Sequence, residues 1–188
     1  MHCLQAAVMM MLNTLDGPVS WEEVNAMTKY EEGKYSWTPV AAVALAERIP
    51  GVKMMSNLDY HQLADRGEEY LREYWNPAWY QDQKQYASAG FAREQQFAKA
   101  LVAKSLFEHR RITTDEIERL VVNNLLIAVV NANKLAGEPG AAGHFVVIYE
   151  DLGDALELHD PGLPPRPEWQ VDKNAFMAAF QNEAIIVG

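Results

Sequence analysis

The chain has 188 residues, a length that fits one domain, and 49% of them are hydrophobic, which argues against a disordered chain. A formal charge of −10 with scattered basic residues argues against a nucleic-acid-binding protein. The single cysteine excludes an internal disulfide and favours a reducing compartment. Because no signal peptide is visible and the apolar runs are too short to span a bilayer, we expect a cytoplasmic protein that contacts no membrane.

The beginning of the chain predicts three helices and a short strand. An apolar stripe at helical spacing indicates a first helix over residues 4–15. Ser20 and Glu23 form a capping box, in which two side chains satisfy free N–H groups at a helix start. A third helix is predicted over residues 38–48, because a cap residue is followed by a proline suited to the first turn. Residues 52–55 are interpreted as a strand.

The segment 59–110 is predicted to be helical, with a break at Asn76 and Pro77. It is rich in tyrosine, glutamine and charged residues, and we interpret it as an insertion within a single domain that covers residues 1–188. Two interpretations of the insertion are open. The one we favour is a pair of helices that covers the core, and the alternative is a roof over a cleft.

The last third of the chain predicts mostly strands. A second capping box, at Thr113 and Glu116, opens a helix to about residue 122, and residues 172–181 form another helix. Short runs rich in Val, Ile, Leu and Phe predict strands at 125–131, 144–150, 155–159 and 184–187. Because helices come first and strands follow, the order predicts an α+β domain with an antiparallel sheet.

Cys3 stands at the entry to the first predicted helix. Free backbone N–H groups and the helix dipole stabilise a thiolate at such a position, and the thiolate is the nucleophilic form of cysteine. The alternative is that Cys3 is a small buried hydrophobic residue, as most lone cysteines are.

His144 opens an apolar strand, and Asp160 closes the next predicted strand. With a turn near Gly153, the two strands would pair as a hairpin and bring the imidazole and the carboxylate to neighbouring ends. A carboxylate there accepts the second ring N–H and fixes the tautomer of the histidine. The alternatives are a strand-end histidine that faces water and an aspartate that only initiates a turn.

A cysteine at a helix start, a histidine at a strand start and an aspartate at the end of the next strand suit a Cys–His–Asp arrangement for nucleophilic catalysis. The remaining histidines lack metal-ligand spacing, and no glycine-rich loop has the lysine or acidic residue of a phosphate-binding motif. We therefore expect neither a metal nor a cofactor.

These residues resemble those of the double-glycine leader peptidases, the bacteriocin-processing branch of the papain-like cysteine peptidase superfamily. In that family a cysteine opens a helix, a Gly-His-Phe/Tyr-Val-Val strand carries the histidine, and Asp-Pro follows the next strand. The matching stretches here are 3–12, 143–147 and 160–161. The resemblance covers roughly residues 1–50 and 112–188 as a pattern. It has no counterpart for the helical insertion.

The resemblance implies a papain-like fold, with N-terminal helices packed on a C-terminal antiparallel sheet. It also implies that Cys3, His144 and Asp160 are catalytic. The chain departs from the family in having Leu4 and Gln5 where Gly-Pro is usual. Family members also carry an oxyanion-hole Gln a few residues before the cysteine. No Gln precedes Cys3 in this sequence, so Gln5 is our candidate for that role.

The first functional hypothesis is a cysteine hydrolase that cleaves a peptide or amide bond through a thioester on Cys3. An acyl or peptidyl transferase would use the same residues, with an amine in place of water. The second hypothesis is a weakly active or inactive domain that keeps the papain-like fold and binds peptides in its cleft. The third is a helical interaction module built on residues 60–100.

Overall fold

Helices cover both faces of a seven-stranded sheet in the computed structural model, which describes residues 2–188. The helices are α1 (Cys3–Leu15), α2 (Trp21–Met27), α3 (Thr38–Ala46), α4 (Tyr60–Arg66), α5 (Glu68–Tyr74), α6 (Pro77–Tyr86), α7 (Ala92–Ala103), α8 (Thr114–Val121), α9 (Ala132–Leu135) and α10 (Lys173–Ala179), with a short 3₁₀ helix at Ser88–Phe91. The strands are β1 (Lys53–Ser56), β2 (Phe107–His109), β3 (Leu125–Asn131), β4 (Gly143–Asp151), β5 (Ala155–Asp160), β6 (Arg166–Asp172) and β7 (Phe180–Val187). The predicted α+β class is confirmed.

The strands lie in the order β2-β1-β7-β3-β4-β5-β6. Among the described residues, neighbouring strands are antiparallel except β1 and β2, which run parallel. The C-terminal strands β3 to β7 are antiparallel, as expected, and the parallel pair joins β1 to a strand that was not predicted. The reason is topological, since helices α4 to α7 form the long crossover that parallel neighbours require.

The two strands that the sequence pattern does not reveal, β2 and β6, both lie at the edges of the sheet. Strand β2 has only three residues and follows a predicted helix. Strand β6 is mostly exposed and contains Pro167, a residue confined to edge strands because it donates no hydrogen bond. Edge strands carry little of the apolar pattern from which strands are predicted.

Both predicted capping boxes are confirmed, at the starts of α2 and α8. The boundary between α10 and β7 differs from the prediction. The helix ends at Ala179 and the strand begins at Phe180, four residues before the predicted run. Asn182, with a φ of 60°, interrupts the regular strand geometry there and hides the alternation that reveals a strand.

Alternate residues of the central strands enter two separate cores. Ile127 of β3 and Ile185 of β7 pack with α1, α3 and the crossover helices. Leu126 and Ile186, one residue away on the same strands, pack with α8 and α10. The sheet is thus covered on both faces, which explains why its central strands are continuous apolar runs.

The segment 59–110 forms four α-helices, one 3₁₀ helix and strand β2 instead of a simple helical pair. Gly67, with a φ of 58°, separates α4 from α5, and a Cβ there would lie 2.8 Å from the Gln95 side chain. Leu63, Leu71 and Leu101 are fully buried in the same core as α1. The segment therefore covers the core. No helix among residues 2–188 has the length and apolar character needed to cross a bilayer.

We expect Leu71→Ala to lower the free energy of unfolding by about 2–5 kcal/mol, because it removes a fully buried side chain and leaves a cavity. The measurement is chemical denaturation followed by circular dichroism. Val122→Ala is the control, since Val122 is 72% exposed and its truncation should change little. Equal stabilities of the two variants would show that the segment 59–110 is not part of the cooperative core.

Candidate active site

Cys3 is the first residue of α1, a helix that packs on strand β4. Leu4, Val8 and Leu12 are fully buried along the inner face of the helix and fix its position over the sheet. Cys3 itself is half-buried and packs against the edge of this core. The thiol therefore has a rigid support while it remains accessible.

His144 and Asp160 lie at adjacent ends of β4 and β5. In the pairing of these strands, Val147 lies opposite His159. Continuing this register places Asp160 opposite Val146. His144 is two residues from Val146, so its side chain is on the same face of the sheet as Asp160. The imidazole Nε2 and the carboxylate Oδ1 are 2.5 Å apart and form a hydrogen bond. The side chains are only 12% and 13% exposed, which limits competition from water.

The Cys3 side chain lies next to the His144 imidazole, close enough to raise the pKa of the ring. Because Asp160 binds Nε2, the ring nitrogen left for the sulfur is Nδ1. The imidazole thus lies between the thiol and the carboxylate. The structure brings together the three side chains that the sequence singled out.

The surroundings of His144 favour its protonated form. Burial lowers the pKa of the imidazole, but the hydrogen bonds and negative charges of Cys3 and Asp160 outweigh burial and raise the pKa from 6.5 to about 9. A raised pKa means that the ring stays a cation at neutral pH and loses its proton only as the pH approaches 9. An imidazolium beside a cysteine stabilises the thiolate.

Asp160 also shapes the turn that follows it. Its Oδ1 accepts a second hydrogen bond, from the backbone N–H of Gly162, at 2.7 Å. A Cβ at Gly162 would lie 2.9 Å from the same oxygen, so a larger residue would displace the carboxylate. One carboxylate therefore binds both the turn and His144. Asp160 is a turn residue and a partner of the histidine at the same time.

Cys3 and His144 open onto a cavity of about 710 Å³. A cavity of this size accommodates a ligand of drug or short-peptide dimensions. Much of its wall is aromatic or aliphatic, from Tyr35, Trp37, Leu58, Tyr60, Trp79, Val129 and Phe145. Cys3 thus lies beside a cavity that is large enough for an organic ligand.

Helix α6 forms one wall of the cavity, through Ala78, Trp79, Asp82 and Gln83. It is attached to the loop before α3 by polar contacts. The Tyr35 hydroxyl donates to Asp82 at 3.3 Å, and its backbone N–H donates to the carbonyl of Tyr86 at 3.0 Å. Part of the segment 59–110 therefore borders the cleft, as the roof interpretation expects, while its other helices cover the core.

Glu183 of β7 also lines the cavity, and the sequence analysis did not single it out. Its carboxylate accepts hydrogen bonds from the hydroxyl groups of Thr38, Ser56 and Tyr60. Burial raises the pKa of Glu183, and these three hydrogen bonds act in the opposite direction. The available signal was a single acidic residue at the start of an apolar strand, since acidic residues are rarely buried without a role.

The structure does not bring Gln5 to the cavity wall. Its side chain is fully buried, and its amide Nε2 donates to Thr28 at 3.2 Å and to Ser36 at 3.0 Å. Both amide hydrogens are therefore engaged away from the thiol. The first-turn N–H groups of α1 remain as donors near Cys3, because such groups lack acceptors within their own helix.

Among residues 2–188, no group of three or more His, Cys, Asp or Glu side chains is placed to hold a metal ion. Comparison with protein-family models, with curated proteins and with solved structures finds no match to this chain. The geometry of the site is therefore the basis for any functional conclusion.

We expect the ring protons of His144 to titrate in NMR spectra with a midpoint near pH 9. Cys3→Ser and Asp160→Asn should each lower the midpoint, because each removes an interaction that favours the imidazolium. Asp115→Asn, an exposed position on α8 outside the cavity, is the control and should leave the midpoint unchanged. A midpoint near 6.5 in the parent protein would contradict the arrangement.

Proposed function

We propose that the protein is a cysteine hydrolase of the papain-like type, which cleaves a peptide or amide bond through a thioester on Cys3. The observation that carries the proposal is the placement of His144 between Cys3 and Asp160 at the edge of a cavity. The order of the elements also supports it, since the helix with the cysteine packs on the strand with the histidine. The substrate is a peptide or an amide.

In the proposed mechanism, the Cys3 thiolate attacks the carbonyl carbon and forms a tetrahedral oxyanion. The first-turn N–H groups of α1 are suited to stabilise this charge, because they point out of the helix start beside the sulfur. His144 then donates its Nδ1 proton to the leaving amine, and the C–N bond breaks to leave a thioester. In the second half, neutral His144 takes a proton from water while the water oxygen attacks the thioester carbon. The C–S bond then breaks, which releases the carboxylic acid and restores the thiolate.

Asp160 acts on His144 alone in this mechanism. It accepts the Nε2–H, so that Nδ1 faces the sulfur and the imidazolium has a counter-charge. Because the leaving amine requires a protonated His144, hydrolysis should decline as the pH rises through about 9. We also place the protein in the cytoplasm, where a free thiol stays reduced.

Iodoacetamide tests the thiol without a known substrate, because Cys3 is the only cysteine. At pH 6 a free thiol is less than about 1% thiolate, so we expect Cys3 to be alkylated at least about tenfold faster than a cysteine peptide. His144→Ala should remove most of this advantage. Mass spectrometry of the Cys3 adduct gives the rate, and circular dichroism checks that the variant is folded. A parent rate equal to that of the free thiol at every pH would defeat the proposal.

Asp160→Asn separates the orienting role of Asp160 from its role in the turn. An asparagine oxygen still accepts the Gly162 N–H, but the substitution removes the negative charge that favours the His144 imidazolium. We expect the melting temperature to change little while the alkylation rate at pH 6 falls severalfold. If the melting temperature fell and the alkylation rate stayed the same, Asp160 would be a turn residue only.

A further inference from the structure

Glu183 presents a carboxylate to the cavity from a rigid support. The three residues whose hydroxyl groups donate to it are almost completely buried, with exposures of 2% for Thr38, 0% for Ser56 and 1% for Tyr60. They belong to α3, β1 and α4, so three elements converge on one side chain of β7. The carboxylate is therefore held in place before any ligand arrives.

Glu183 has no cationic partner within residues 2–188, since no lysine, arginine or histidine there forms an ion pair with it. A carboxylate has about four acceptor positions, and the three hydroxyl groups occupy three of them. Thr38 donates to Oε1, while Ser56 and Tyr60 both donate to Oε2. One position on Oε1 remains for a ligand.

The rest of the cavity wall suits a cation as well. Tyr35, Trp37 and Trp79 line it, and aromatic faces attract ammonium and guanidinium groups. Trp37 is held in position by Trp75 and Phe91, with ring centroids 5.7 Å away in each case. The Trp37 ring is therefore fixed within the wall.

Lys34 and Asp82 are the other lysine or acidic residues of the cavity wall, and each forms a hydrogen bond with a neutral group. Lys34 donates to the backbone carbonyl of Gln85 at 3.2 Å, at the end of α6. Asp82 accepts a hydrogen bond from the Tyr35 hydroxyl. His144 carries a positive charge, but Cys3 and Asp160 compensate it. Glu183 is thus the carboxylate of the wall that three nearly buried hydroxyl groups hold in position.

We infer that Glu183 and the aromatic wall select a substrate with a positively charged nitrogen, an ammonium or a guanidinium group, while its scissile carbonyl lies at Cys3. The nitrogen occupies the open position on Oε1. This inference rests on the proposed function, because it takes Cys3 as the nucleophile. It adds the substrate class, which nothing in the catalytic geometry specifies.

Chloromethyl ketones of single amino acids provide the probe. The thiolate displaces chloride, a C–S bond forms, a C–Cl bond breaks, and the adduct mass identifies Cys3. We would compare N-acetylated reagents of lysine, arginine and norleucine with a norleucine reagent that has a free α-amine. The expected result is a second-order rate at least about tenfold higher for one or more cationic reagents than for N-acetylnorleucine. The fastest reagent shows whether the preferred cation is a lysine ammonium, an arginine guanidinium or an α-ammonium group.

Glu183→Gln keeps the size of the side chain and an oxygen for Thr38, but it removes the negative charge. We expect this variant to lose the preference for cationic reagents, measured as the ratio of their rates to the rate of N-acetylnorleucine in the same variant. Asp82→Asn is the matched control, since it removes a charge from the same cavity and should keep the preference. If both variants lost it equally, the general negative potential would be responsible and the assignment to Glu183 would be wrong.

Where Glu183→Gln fails to fold, the parent protein still decides the question. Lysine amide or arginine amide should then protect Cys3 from iodoacetamide better than norleucine amide does. A reactive thiol at pH 6 without any preference for cationic reagents or ligands would overturn the inference and leave the proposed function intact. A thiol with the reactivity of a free peptide would instead overturn the proposed function itself.

Discussion

The hydrogen bond between His144 and Asp160 depends on the register of two strands, and the rest of the site depends on that bond. A shift of one residue between β4 and β5 would turn one of the two side chains to the opposite face of the sheet. Buried residues on both faces prevent such a shift, because Val146 and Val147 enter different cores. Apolar packing at a distance from the thiol thus fixes the position of His144 relative to Asp160.

A second polar cluster connects the crossover helices to the sheet. The Glu183 carboxylate on β7 accepts hydrogen bonds from hydroxyl groups of α3, β1 and α4. It therefore connects strand β7 to the beginning of the segment 59–110. The same carboxylate contributes to the cavity wall. Glu183 is therefore both a structural contact and part of the cavity wall, and Asp160 likewise binds both His144 and the following turn.

The local features of this chain were predictable from sequence because they arise from neighbouring residues. Capping boxes act within three positions, apolar periodicity marks the central strands, and the turn at Gly153 implies the hairpin that joins His144 to Asp160. The separation into helices and strands followed from these features, and so did the α+β class.

The remaining features depend on tertiary contacts that no local pattern records. The parallel pairing of β1 with β2 requires the whole crossover of α4 to α7, and the edge strand β6 has little apolar pattern. Glu183 contacts residues that lie more than 100 positions away from it along the chain, such as Thr38 and Ser56. Gln5 was a reasonable donor from its distance to Cys3 along the chain, but its direction on the helix turns its amide toward Thr28.

Helix α6 is held differently from the other crossover helices. It buries only Tyr80, whereas α4 and α7 place leucines in the core. Glu68 of α5 binds Tyr80 and Lys84, and the Lys84 ammonium is the main cause that lowers the pKa of Glu68 to about 2. Ion pairs near the surface weaken with ionic strength, and weakly buried elements open by local unfolding at low free energy. We therefore expect α6, and with it one wall of the cavity, to be more sensitive to ionic strength than the sheet.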